Sequence, residues 1–166
     1  MVIQQGIAIV AGVAGAIKAS QLPAFSLQYM HNLNGRIDEL QPIILDLELE
    51  LQMYNYTIDE AMMECEMATT SGLLDALCNS FQDVVLRFQE LYPHYQDLRM
   101  ASDYTRPFVL VSSAEKDIVQ SVTEEFEPAV PVSQHGLVYA GCGFVIAWLA
   151  LTVVLTTGGA LCRRKR

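Results

Sequence analysis

Sulfur is concentrated in one short stretch of this chain. "MMECEM" places Met62, Met63, Cys65 and Met67 within six residues. On a helix Met63 and Met67 lie one turn apart, as do Met62 and Cys65. Soft thioether and thiolate donors at that spacing suit copper(I). The same residues also serve as adaptable packing in a small helix. Cys78 follows beyond the break "ATTSG", so Cys65 and Cys78 either bridge the two sides of that break in an oxidising compartment or remain buried thiols.

Other chemistry-bearing residues form weaker patterns. Ser113 and Lys116 in "SAEK" match the S-x-x-K of serine acyl-enzymes, but the two companion motifs are lacking and a capping box, "SSAE", overlaps it. His31, His94 and His135 are isolated, without metal-ligand spacing. "NYT" at Asn55–Thr57 fits a glycosylation sequon, a chance match if the protein is bacterial. Cys142 falls in an apolar run as a small packing residue, and Cys162 is juxtamembrane. No catalytic residue, cofactor site or enzymatic activity is expected from these residues.

The elements around them are legible. Leu137–Cys162 is 26 residues without a formal charge, more than the roughly 20 apolar residues a helix needs to cross a bilayer. Ser133 is its expected N-cap, and Trp148 lies within it. Val2–Ile17 is a shorter uncharged run closed by Lys18. It reads as a first span, with a signal peptide ending near "AGA" as its rival. Small residues recur along both runs: Ala8, Gly12 and Ala16 in the first, Gly136, Ala140, Gly143, Ala147 and Ala150 in the second. Such stripes let helix backbones approach closely in lipid.

Charge orders the segments. All 19 Asp and Glu lie between Asp38 and Glu127, whereas Arg163, Arg164, Lys165 and Arg166 end the chain. The positive-inside rule puts that basic tail, and with it both termini, in the cytoplasm. Residues 1–19 are then the first transmembrane helix, 20–132 an acidic helical domain outside the cytoplasm (periplasmic in a Gram-negative bacterium), 133–162 the second transmembrane helix and 163–166 a cytoplasmic tail. An acidic domain repels nucleic acid. The expected partners are the lipid bilayer and a membrane or periplasmic protein, or a second copy of the chain.

Within the acidic domain, Met30, Leu33, Ile37, Leu40, Ile44, Leu47, Leu51 and Tyr54 repeat at alternating spacings of three and four, as do Leu74, Leu77, Phe81, Val84, Phe88, Leu91, Tyr95 and Leu98. These heptad seams predict an all-α fold with an antiparallel helical hairpin, a coiled-coil-like pair. With its tip near Thr70, Phe88 falls level with Leu51–Tyr54, Val84 centres the second seam, and Gln82 and Gln89 lie off it. "TIDE" at Thr57–Glu60 predicts a capped helix over residues 58–67. Pro42 and Pro93 predict kinks. "RPFVLVSS" reads as an extended connector, "SSAE" as the start of a helix to about Phe126, and "EPAVPVS" as an extended linker.

Both ends of the acidic domain resemble a family of small bacterial membrane proteins, domain of unknown function 2937. The likeness rests on Gln21, Leu22, Pro23, Phe25, Gln28, Tyr29, Leu33, Gly35, Asp38 and Glu39 in "SQLPAFSLQYMHNLNGRIDEL". It continues in "FEPAVPVSQHGLVYAGCGFVIAW" through Pro128–Pro131, Gly136–Val138, Gly141, Gly143, Phe144 and Trp148. Asn34 stands where the family tends to have Gly. The resemblance implies a Gram-negative inner-membrane protein and brings no activity with it. Together these features suggest a non-enzymatic accessory protein presenting an acidic hairpin to a protein partner. A sensor module acting through a membrane partner and a copper-binding protein are the alternatives.

Overall fold

The computed structural model describes the backbone of residues 2–67, 72–128 and 133–164, and the side chains of residues 5–67, 72–128 and 133–157. Among them are seven α-helices and no strand: α1 (Val2–Ser20), α2 (Leu22–Met53), α3 (Ile58–Met67), α4 (Leu73–Met100), α5 (Arg106–Ser113), α6 (Lys116–Glu125) and α7 (Gln134–Arg164). The fold is all-α, and two stretches are long and apolar enough to cross a membrane, one beginning at Gln5 and one at Gln134–Thr157. The chain divides into two units, Met1–Tyr29 with Ala101–Arg166, and Met30–Met100.

In the first unit α1 packs along α7. The approach is closest where glycines meet. A Cβ placed on Gly15 would lie 2.5 Å from the Ala147 Cβ and 2.7 Å from the Gly143 carbonyl oxygen. One placed on Gly143 would lie 2.5 Å from the Ala19 Cβ and 2.6 Å from the Gly15 carbonyl oxygen. The expected stripe is therefore used, but shifted. Ala8 and Gly12 are buried, while Gly15 and Ala19, half-buried like Ala16, carry the closest approach to α7. The stripe drifts because 3.6 residues per turn does not match a strict repeat of four.

Ser133 caps α7 as expected, its Oγ accepting the Gly136 N–H at 3.1 Å. Tyr29, Ile118 and Val122 are fully buried, and the Tyr29 hydroxyl accepts the Glu115 N–H at 3.0 Å. This places Tyr29, one of the family-like positions, against the start of α6. Ser26 is buried too, its hydroxyl donating to the Pro23 carbonyl, and Phe25 meets Phe126 edge-on.

Two expectations for this unit are corrected. "RPFVLVSS" is not extended: it is α5. Pro107 falls in the first turn, where its missing N–H costs nothing, and it is buried with Leu110 one turn on. With no strand beside it, β-branched composition does not hold it extended. Nor does "SSAE" form a capping box. Ser112 and Ser113 end α5 with their hydroxyls donating back to the Val109 carbonyl, and α6 starts only after Glu115, which makes no side-chain cap.

In the second unit α2 and α4 run through Pro42 and Pro93. The first seam holds as far as Leu51: Leu33, Ile37 and Ile44 are buried, with Met30, Leu40, Leu47 and Leu51 half-buried, whereas Tyr54 is exposed. The second seam is rotated. Val85, not Val84, is buried with Leu91, His94 and Leu98, while Leu74 and Leu77 are 51% and 57% exposed. The register also moves. Phe81 shares a cleft with Leu47, Leu51 and Tyr54, whereas Phe88 lies lower, with Ile44, Glu48 and Gln52. The cause is the way α2 ends. The Asn55 N–H donates to the Gln52 carbonyl at 3.1 Å and the Tyr56 N–H to the Leu51 carbonyl at 3.0 Å, with Asn55 left-handed at φ 59°. That is the Schellman stop. It ends the first arm early, and α3 then packs beside α4. The expected break "ATTSG" and the linker "EPAVPVS" lie mostly outside the described residues, at 68–71 and 129–132.

Candidate functional site

The residues with chemical potential gather at the end of the Met30–Met100 unit. The "TIDE" box forms as its sequence requires. Glu60 Oε2 accepts the Thr57 N–H at 2.8 Å, and Thr57 Oγ1 accepts the Glu60 N–H at 3.3 Å. The bonds from the Thr57 backbone and hydroxyl hold the Glu60 carboxyl below the usual carboxylate range. One turn further, the Tyr56 hydroxyl donates to Glu64 Oε1 at 2.8 Å, and this bond, with the carboxylate's charge, raises the Tyr56 hydroxyl above its ordinary value.

Cys65 and Cys78 form a disulfide that ties α3 to α4, with their Cα atoms 5.4 Å apart. Of the two readings of these cysteines the bridge is the one adopted. It withdraws Cys65 from the soft-ligand set, leaving Met62, Met63 and Met67 as thioethers. Met63 and Met67 are 59% and 69% exposed. Met62 and Met63 line a shallow cleft with Asp59, Glu66 and Leu86. Gln82, expected off the seam, donates to the Met62 carbonyl at 3.4 Å. Among the described residues no three His, Cys, Asp or Glu side chains are grouped to hold a metal ion.

On the face carrying the disulfide, α2, α3 and α4 enclose a mostly apolar groove of about 530 Å³. Leu47, Leu51, Tyr54, Leu74, Leu77 and Phe81 line it beside the two cysteines. The exposed leucines of the second seam thus face a groove wall rather than a closed core. Heptad spacing identified these leucines as apolar-face residues. Nothing local in the sequence marks where an arm's packing stops.

The histidines are dispersed. His31 is exposed on α2 and His94 is buried on α4. His135 lies at the start of α7 in a cluster of the first unit that sequence reading missed. Its Nε2 stands 3.7 Å from Asp103 Oδ2, and its ring meets Tyr104 edge-on at 4.5 Å. Arg106 donates to Asp103 Oδ1 at 2.7 Å, and the Tyr139 hydroxyl donates to the Tyr104 carbonyl at 2.6 Å. The only local signal for this cluster is the Asp103–Arg106 spacing. Ser113 and Lys116 fall on different helices, at the end of α5 and the start of α6.

The small-residue positions Gly12, Gly136, Gly143 and Ala147 are buried or half-buried, as is Ala140. Gly35, Asp38, Glu39, Pro128, Gly141 and Trp148 are exposed, and Gln21, Pro23 and Gln28 half-buried. Asn34 donates to Asp38 at 2.7 Å across one helical turn. Pro131 and the side chains of Arg163, Arg164, Lys165 and Arg166 lie outside the described residues.

No curated protein and no solved structure matches the chain. The family model does, over almost its whole length. The resemblance at the two ends of the acidic segment therefore extends through the hairpin between them, and the chain belongs to the family described as protein of unknown function DUF2937, whose model matches residues 3–164.

Proposed function

We propose that this protein is a non-enzymatic accessory component of a Gram-negative inner membrane. In this reading α1 and α7 are its two spans, the acidic helices stand in the periplasm, and the hairpin is offered to a protein partner. The observation that carries the reading is the Cys65–Cys78 disulfide within the acidic unit. Disulfides persist in oxidising compartments and are rare in the cytosol. The charge pattern agrees independently, since the four terminal cations follow the second span and cations near span ends favour the cytoplasm. The glycine crossing of α1 on α7 supports α1 as a retained span, because a cleaved leader has no lasting partner to fit.

Alkaline phosphatase fused after Thr70 should be active, and a fluorescent protein that matures only in the cytoplasm should glow when fused after Arg166. Neutralising Arg163–Arg166 should give mixed orientation, Lys18 then being the main cation near a span. The reverse reporter pattern would invert the reading. For the partner, crosslinking of the full chain in membranes should yield one stoichiometric adduct. Recovery of monomer alone would remove the interaction role.

A further inference from the structure

The groove beside the disulfide has an uncommon surround. From Ile37 to Leu86 the chain holds eleven Asp and Glu and no Lys, Arg or His. All three segments that wall the groove, at Leu47–Tyr54, Ala61–Cys65 and Leu74–Phe81, lie in that stretch. Glu50 lies in the wall itself, and Asp75 and Glu64 are exposed next in sequence to the wall residues Leu74 and Cys65, Glu64 also accepting the Tyr56 hydroxyl; Glu48 and Glu66 line neighbouring clefts of the same unit. The wall is mostly apolar, and the only charges in the stretch that supplies it are negative.

We infer that this groove binds a cationic amphipathic helix of a partner protein: its apolar face would bury against Leu51, Leu74, Leu77 and Phe81, and its Lys and Arg would meet the surrounding carboxylates. The inference rests on the partner-presenting role proposed above and assigns it a site and a ligand chemistry. Length agrees. Leu47 to Tyr54 covers about two helical turns, roughly 10 Å of rise, enough for the i, i+3, i+4, i+7 anchors of a helix laid in a groove. Charge selects among occupants. A second copy would bring the same acidic stretch against itself, and the anionic headgroups of a membrane surface would be repelled. A basic segment gains on both counts, and its approach is steered by the same field.

The test is photocrosslinking in intact membranes with the full chain. A photoreactive amino acid replaces Leu77 in the groove and, in separate variants, Leu49 and Val111, which are 61% and 80% exposed and do not line it. Leu77 should capture one protein. Mass spectrometry should place the adduct on a segment of net positive charge with apolar residues at helical spacing. Combining Glu50→Gln, Glu64→Gln and Asp75→Asn should cut that adduct several-fold while the disulfide, checked on non-reducing gels, stays intact. Capture from Leu49 or Val111 but not from Leu77 overturns the groove and leaves the accessory role standing. Capture from none of the three overturns both. An adduct from Leu77 to a second copy, to lipid or to a neutral or acidic segment overturns the cationic partner, as does a yield unchanged by the three neutralisations.

Discussion

Replacing Gly15 by alanine should loosen the α1–α7 pair, and the geometry sets the size of the effect. The new methyl would sit 2.5 Å from the Ala147 Cβ and 2.7 Å from the Gly143 carbonyl oxygen. Carbon atoms pack best at about 3.5–4.0 Å, so the helices must part by roughly 1 Å. No rotamer relieves this, because the obstacles are a backbone carbonyl and a Cβ. Overpacking of that kind costs about 1–3 kcal/mol. In water Gly→Ala would recover nearly 1 kcal/mol of helix propensity. In lipid both helices persist after they separate, so little of that gain offsets the clash.

Gly143→Ala should behave the same way, its methyl meeting the Ala19 Cβ and the Gly15 carbonyl oxygen. Gly12→Ala should cost less, since its new neighbour is the Phe144 ring, 2.7 Å away but able to turn. Gly141→Ala and Gly6→Ala are controls with nothing within 4 Å. The double variant of Gly15 and Gly143 should cost less than the two singles added, because helices already parted by one methyl accommodate the second. Equilibrium denaturation of the purified chain in mixed micelles, followed through the single tryptophan, Trp148, reads all six. Gly15 and Gly143 variants as stable as the Gly141 variant would refute the crossing.

Three further outcomes concern the acidic unit. Replacing Cys65 and Cys78 by serine should lower denaturant stability by up to about 3 kcal/mol, the loop-closure value for a bridge spanning some 15 residues; loss of the reductant-sensitive gel shift in the variant confirms the bridge, and equal stability would assign it no structural role. Thr57→Ala should cost about 1 kcal/mol, the usual worth of an N-cap. Because Glu60 is held below its ordinary value by the Thr57 bonds, its contribution is present above the unfolded carboxylate range and disappears as pH falls through the lower folded value. The melting gap between wild type and Thr57→Ala, followed by circular dichroism, should therefore narrow in strong acid, where the hydroxyl's bond to the Glu60 carboxylate is lost while its bond from the Glu60 N–H remains; a gap that does not change with pH would show the Glu60 side of the box to be idle. Leu91→Ala, at 1% exposure, should cost about 2–5 kcal/mol, and Leu86→Ala, at 53% exposure, close to nothing. Equal melting shifts would return the seam to an unassigned state.

What the sequence made legible were features with a short-range cause. The long apolar helix α7, its Ser133 cap, the Thr57–Glu60 box and the bounds of α3 follow from runs or spacings within a few residues. What it hid depends on where distant segments meet. The hairpin register turns on the Schellman stop at Asn55, and Asn55 reads as half of a sequon unless the left-handed conformation is known. The helix at Arg106–Ser113 was masked by β-branched composition, whose preference matters only where a neighbouring strand exists to realise it.

The same distinction explains the candidate groove. A heptad seam marks residues that want an apolar neighbour, without saying whether the chain itself provides one. Leu33, Ile37, Leu91 and Leu98 find it within the fold and are 0–2% exposed. Leu74 and Leu77 continue the second seam with the same spacing and remain more than half exposed. The pattern outruns the packing by two turns, exactly where the bridge Cys65–Cys78 fixes α3 against α4. A seam that ended by sequence drift would lose its leucines along with its partner. Here the leucines persist and the carboxylates around them persist too. Apolar residues left exposed in a stretch charged with one sign are costly to keep in water, and the occupant inferred above would offset that cost.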